Sequence, residues 1–94
     1  MPNDRLKKIS YRAWRRGFRE ADLILGPFAD RRLPAMSEAD ITAFEVLIDQ
    51  PDHDLYGWII GRAPAPATFE GPVLEALRAF HLNLNLGSGE ARGA

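Results

Sequence analysis

Cysteine is absent from this chain of 94 residues. Its absence excludes a disulfide framework, a thiolate metal site and a cysteine nucleophile, and it is compatible with a reducing compartment. Histidine is scarce as well, since His53 and His81 are the only two. Neither histidine has a partner at the spacing of a metal site, and a structural role is the simpler interpretation of both. The sequence therefore predicts no metal site.

Long hydrophobic runs and catalytic motifs are also missing. No apolar run approaches the roughly 18 residues that span a bilayer, and the N-terminal residues form no apolar signal core. Because the N-terminal arginines run directly into the predicted domain, we expect no removable leader. We expect a chain that is neither secreted nor inserted into a membrane. There is no glycine-rich phosphate loop, no G-x-S-x-G and no paired-histidine motif. Because no nucleophile, base and orienting group come together, we do not expect an enzyme.

The residues that are present have the composition of a globular protein. Apolar residues make up 46% of the chain and charged residues 27%, which argues against disorder. The length suits one domain with a single modest core. We expect one helical domain over residues 1–85, followed by a flexible tail over residues 86–94 that has little to bury.

Apolar side chains recur at helical spacing along the chain, without the alternation that is typical of strands. The fold class predicted from this periodicity is all-α, a compact bundle of about five short helices. Gly26 and Pro27 are expected to kink or break the second helix, while Ser37 and Thr68 are predicted to cap the third and fifth helices. The predicted helices span residues 4–16, 18–32, 37–50, 52–61 and 68–82.

Charge is distributed unevenly along the chain. Residues 1–20 carry seven basic and two acidic side chains, whereas the remaining 74 residues carry five basic and eleven acidic ones. This asymmetry predicts a basic face for an acidic partner, although a solvated helix surface has the same composition. A nucleic-acid-binding protein that uses its basic first helix is the alternative. The acidic remainder and the isoelectric point of about 6.1 disfavour that alternative, so we expect no nucleic-acid partner.

The run from Arg15 to Asp22 packs three arginines, two acids and one glycine into eight residues. A purely structural interpretation is available for it. Arg16 and Glu20 stand four residues apart and could form an intrahelical ion pair worth about 0.2–0.5 kcal/mol, and Gly17 could end a helix or let another backbone come close.

A surplus of arginine weakens that structural interpretation. Three arginines have no acidic neighbour left in the sequence with which to pair: Arg12, Arg15 and Arg19. Guanidinium groups are suited to binding carboxylates or backbone carbonyls of another protein, and a glycine beside them permits close approach. The run therefore indicates a protein-binding surface.

Several segments, in order along the chain, resemble one family. Arg15–Asp22 is similar to its Arg-Gly-x-x-Glu motif with a following acid, and Leu25–Phe28 to a helix with a proline–aromatic pair. Phe44–Asp49 followed by Pro51–Ile59 resembles its Asp-x-Asp-Leu-x-x-Trp turn and helix. Over about residues 5–82, the chain resembles the succinate dehydrogenase flavinylation factors. These are FAD assembly factors, known in mitochondria as succinate dehydrogenase assembly factor 2.

This resemblance implies a five-helix assembly factor that binds the flavoprotein subunit of succinate dehydrogenase and, in some bacteria, of fumarate reductase. It implies that the factor promotes covalent attachment of FAD to a histidine of that subunit. The factor would act on FAD held by the partner, in the cytoplasm of a bacterium or in the mitochondrial matrix of a eukaryote. Because the sequence has no dinucleotide motif, we expect no stable FAD site in this chain, and we expect a monomer when the chain is free. The implied contact core is Arg16, Gly17 and Glu20, with Arg15, Arg19 and Asp22 as neighbours.

Overall fold

The helical periodicity of the sequence is realised in the computed structural model. It describes residues 2–15 and 17–93, and the side chains of residues 4–15 and 17–84. The predicted all-α class is confirmed, because these residues form five α-helices and two 3-10 turns and no strand. The α-helices are α1 (Pro2–Trp14), α2 (Arg19–Arg32), α3 (Glu38–Ile48), α4 (Asp52–Ile60) and α5 (Pro72–Gly93). The 3-10 turns are Leu33–Ala35 and Ala67–Phe69.

A cluster of three phenylalanines lies at the centre of the core. The Phe28 ring of α2 stacks on that of Phe44 in α3 at 5.4 Å and meets Phe80 of α5 edge-on at 5.5 Å. The apolar side chains predicted at helical spacing on α3 and α4 are buried in this core, as are Val73, Leu74 and Leu77 of α5. Phe69, predicted on the same face of the last helix, lies instead in the preceding 3-10 turn and is only partly buried. Within the described residues, no helix is both long and apolar enough to cross a membrane.

Of the two outcomes predicted for Gly26 and Pro27, the break is wrong, because α2 runs without interruption through both residues, while the kink stays a prediction. Proline removes a single backbone donor, the one that would have bonded to the Leu23 carbonyl. Burial of Leu25 and Phe28 on either side of the pair holds this stretch of helix against the core. Tertiary packing therefore overrides the local cost of one lost hydrogen bond.

The ends of α3 and α5 differ in how well the sequence predicts them. Ser37 caps α3 as predicted, since its side chain accepts a hydrogen bond from the Asp40 amide at 3.2 Å. Thr68 does not cap α5, because it lies in a 3-10 turn and the helix begins four residues later, at Pro72. A residue before proline avoids helical angles, so Gly71 cannot extend α5 backwards.

The C-terminal end of α5 continues past the predicted end at residue 82. Side chains beyond residue 84 lie outside the described part of the structure. The flexible tail at 86–94 and the domain limit at 85 therefore stay predictions.

A single arginine joins the end of α4, the following connection and α5. The Nε atom of Arg78 donates to the Trp58 carbonyl at 3.1 Å, and its terminal nitrogens donate to both Glu70 carboxylate oxygens at 2.9 and 3.0 Å. Glu75 accepts a further bond at 2.7 Å. The hydrogen bond from Arg78 lowers the pKa of Glu70, and Glu70 in turn raises the pKa of Arg78.

Replacing Glu70 with glutamine is expected to lower the melting temperature near neutral pH and to have little effect in acid. A carboxyl group whose pKa is depressed in the folded state stabilises the fold above its unfolded pKa of about 4.3. That contribution is lost as the pH falls through the lower, folded value. Melting curves at a series of pH values should therefore converge for the two proteins in acid. A difference that stays constant over the whole series would contradict this role.

Candidate partner-binding surface

Gly17 adopts a backbone conformation that favours glycine. It lies between α1 and α2 with φ of +84°, in the left-handed region, where a side chain costs roughly 1–2 kcal/mol. Apart from its two neighbours in the chain, no described residue has an atom within 4 Å of a Cβ atom built on Gly17. Because α1 ends at Trp14, three residues earlier, Gly17 is not a C′ cap of that helix. Gly17 provides the left-handed residue of the connection between α1 and α2, and the space next to its Cα atom is open.

Exposed charges surround this glycine. Arg15 precedes it, and Arg19 and Glu20 are the first two residues of α2. Within the described residues, these three side chains make no ion pair, although the Arg15 guanidinium lies 4.6 Å from the centre of the Tyr11 ring. We call Arg15, Gly17, Phe18, Arg19 and Glu20 the turn surface.

Asp22 and Arg16, the other two predicted site residues, are not part of the turn surface as defined. Asp22 is half-buried and has an interaction of its own, so it lies beside the turn surface and is less accessible than Glu20. Arg16 lies outside the described residues, and its place in the contact core, like its pairing with Glu20, stays a prediction.

Arg12 does not belong with the unpaired arginines, and the expectation that it lacks an acidic partner is wrong. It forms a salt bridge with Asp49, at the end of α3. Arg5 behaves similarly: its two terminal nitrogens donate to Glu38 at 2.6 Å and to Glu45 at 2.7 Å. These two hydrogen bonds raise the pKa of Arg5, and the bond to Glu45 has the larger effect. The partners are 33 to 40 residues away, and local sequence gives no sign of them.

Phe18 connects the turn surface to α4, a contact that the sequence analysis missed. Its ring centre lies 4.6 Å from that of His53 and 5.0 Å from that of Tyr56. The i, i+3 spacing of His53 and Tyr56 on α4 was the available signal, since it places both rings on one helical face. Beside this contact, a shallow depression of about 280 Å³ is lined by Tyr11, Arg12, Arg15 and Asp52.

The chemistry available at this surface is recognition. Two exposed guanidinium groups and one exposed carboxylate lie around open backbone, and such groups form charge-assisted hydrogen bonds with another protein. No group of three histidine, cysteine, aspartate or glutamate side chains within the described residues could hold a metal ion. The ring of His53 contacts the ring of Phe18, which fits a structural role for this histidine.

Comparison with known proteins gives a consistent match. The family model described as "Flavinator of succinate dehydrogenase" matches residues 7–81. Succinate dehydrogenase assembly factor 2, mitochondrial, of Dictyostelium discoideum is 36% identical over 81 residues, which cover 86% of this chain and 57% of that protein. The FAD assembly factor SdhE of Acetobacter pasteurianus is 30% identical over 73 residues, which cover 78% of this chain and 67% of that protein. The chain thus spans about half the length of the mitochondrial relatives it matches.

Proposed function

Because this chain belongs to the flavinator family of succinate dehydrogenase, we propose that it binds the flavoprotein subunit of that enzyme and promotes covalent attachment of FAD to it. The family that the sequence resembles is therefore confirmed. The partner and the reaction are our proposal for this chain. The flavoprotein subunit of fumarate reductase, where it is present, is a second partner of the same kind.

The turn surface is the observation that carries this proposal. Arg19 and Glu20 are exposed and make no ion pair within the described residues, which leaves their charged groups accessible to another protein. Open space at Gly17 allows the backbone of another protein to approach. Opposite charges placed side by side fit a partner surface that carries both carboxylate and guanidinium groups.

The chain would act by positioning. We propose that it holds the FAD-loaded partner so that the 8α-methyl group of the flavin and the histidine that receives it are close to attack geometry. The flavin supplies the chemistry of bond formation, and the reacting histidine belongs to the partner. His53 and His81 would not react, and the chain would hold no FAD of its own.

The proposal is tested by producing the flavoprotein subunit in cells that lack their own assembly factor, with and without this chain. Covalent flavin is read as fluorescence of the denatured subunit in a gel, divided by the amount of subunit on an immunoblot. Fluorescence should depend on the chain. Equal fluorescence in its absence, or failure of the two proteins to co-purify, would contradict the proposal.

Replacing Glu20 with alanine is expected to weaken capture of the flavoprotein subunit far more than it lowers the melting temperature. The carboxylate is exposed and unpaired within the described residues, so its loss should change the free energy of unfolding by about 0.5 kcal/mol or less. Asp4→Ala is the control, because Asp4 is likewise an exposed acid in the first turn of its helix, lies outside the turn surface and makes no ion pair within the described residues. Parallel losses of binding and stability in Glu20→Ala would instead indicate that this carboxylate stabilises the fold.

A further inference from the structure

Trp14, the last residue of α1, lies against the backbone of α2 at Gly26. A Cβ atom built on Gly26 would be 2.2 Å from Cδ2 and 2.4 Å from Cε2 of the indole, far inside van der Waals contact. The indole of Trp14 therefore already occupies the space that the methyl group of an alanine at Gly26 would need. Glycine at this position of a helix interior disfavours the helix, so its presence is best explained by the ring that lies on it.

Asp30, one helical turn beyond Gly26, binds α1 through both carboxylate oxygens. One oxygen accepts a hydrogen bond from Nε1 of Trp14 at 3.0 Å, and the other accepts one from the Ser10 hydroxyl at 2.5 Å. The indole is thus fixed in position by packing on one side and by a directional hydrogen bond on the other. A ring held in both ways has little freedom to change rotamer.

The exposure of Trp14 indicates that this arrangement does more than fill the core. Trp58, the other tryptophan, is 7% exposed, whereas Trp14 remains 40% exposed. Trp14 is directly followed in the chain by Arg15, the first residue of the turn surface. Fixing Trp14 therefore fixes the point at which the chain leaves α1 and enters the connection that contains Gly17.

We propose that Trp14, Gly26 and Asp30 are positioning residues for the turn surface. They set where Arg15, Gly17 and Phe18 lie relative to Arg19 and Glu20 on α2, so that both halves of the surface meet the partner together. This inference rests on the proposed function. None of the three residues needs to touch the partner's reacting groups for this role.

The experiment measures the dissociation constant of the full chain for the purified, FAD-loaded flavoprotein subunit by titration calorimetry, below the melting temperature of every variant. Gly26→Ala displaces the indole and should weaken binding about ten-fold. Asp30→Ala should also weaken binding. Asp30→Asn should largely preserve it, because its amide oxygen can accept from Trp14 while its NH2 group donates to the Ser10 hydroxyl.

A double variant and a stability control separate positioning from general destabilisation. Once Trp14 is replaced by alanine, the added methyl at Gly26 has no ring to displace, so Trp14→Ala/Gly26→Ala should bind like Trp14→Ala alone. Val73→Ala, a buried substitution in α5, should lower the melting temperature without changing the dissociation constant. Normal binding by folded Gly26→Ala, or equal losses in Asp30→Ala and Asp30→Asn, would overturn the inference.

A second readout needs no partner. The backbone amide resonances of Arg15, Gly17 and Phe18 should shift in Gly26→Ala and Asp30→Ala and stay near their original positions in Asp30→Asn and Val73→Ala. If the unmodified chain does not bind the flavoprotein subunit, the proposed function fails, and these resonances still decide whether the three residues position the turn. Unchanged resonances in Gly26→Ala and Asp30→Ala would overturn the positioning role.

Discussion

Replacing Gly17 with arginine is expected to abolish covalent flavin attachment to the partner while the helical bundle stays folded. The left-handed φ of Gly17 makes any side chain cost roughly 1–2 kcal/mol there. The space around the position is open, so no clash with the core adds to that cost. The total stability of a domain of this size is about 5–15 kcal/mol. The loss of function would follow from a long, charged side chain occupying the space into which the partner's backbone moves.

The measurement is in-gel flavin fluorescence of the partner subunit, combined with a circular dichroism melt of the purified variant. Gly17→Asn is the matched control, since asparagine is enriched in the left-handed region and adds a shorter, uncharged side chain. It should retain more flavin attachment than Gly17→Arg. If fluorescence persists in folded Gly17→Arg, the turn surface is not where the partner binds.

Replacing Phe28 with alanine is expected to lower the stability of the bundle by about 3–5 kcal/mol. Phe28 is fully buried and its ring contacts Phe44 of α3 and Phe80 of α5. Its removal therefore opens a cavity where three helices meet. With a shift of about 4–8 °C per kcal/mol for a domain of this size, the melting temperature should fall by tens of degrees.

Thermal melts and urea titrations of the same variants measure this loss. Phe28→Leu refills most of the cavity and should cost only about 1–2 kcal/mol. Flavin attachment in cells should fall with the folded fraction in Phe28→Ala, in contrast to Gly17→Arg, where attachment is lost although the protein is folded. A melting temperature in Phe28→Ala within a few degrees of the original would show that the three-ring contact does not dominate the core.

Several features of the fold that depend on nearby residues are predicted by the sequence, although the Thr68 cap is not among them. The apolar faces of α3 and α4 follow helical spacing and are buried as expected, and the Ser37 cap depends on residues three positions apart. Gly17 lies between two helices as expected, but it follows the last residue of α1 by three positions and is not the C′ residue of that helix. The exposed charges of the turn surface lie within six consecutive residues, and all three of them are candidate contacts predicted from the sequence.

Features that depend on distant residues could not be predicted in this way. The partners of Arg5 and Arg12 lie on another helix, and the indole that occupies the space at Gly26 comes from α1. Gly26 beside Pro27 has the local appearance of a helix break, and only the packing of α1 and of the core against α2 explains its continuity. Phe18 was overlooked for the same reason, because its neighbours His53 and Tyr56 are on α4.

The pairing of Arg5 and Arg12 with acids of α3 has a consequence for the rate at which a partner is captured. Long-range attraction speeds encounter only when charge is left uncompensated at a distance. Two of the seven basic side chains in residues 1–20, Arg5 and Arg12, form ion pairs with Glu38, Glu45 and Asp49. Because α3 compensates positive charge of α1 in this way, the two helices together resemble a dipole more than a cation. The rate of association with the flavoprotein subunit should accordingly fall by only about a few-fold as the salt concentration is raised until most surface charges are screened. Binding to a polyanion would weaken over the same range by orders of magnitude.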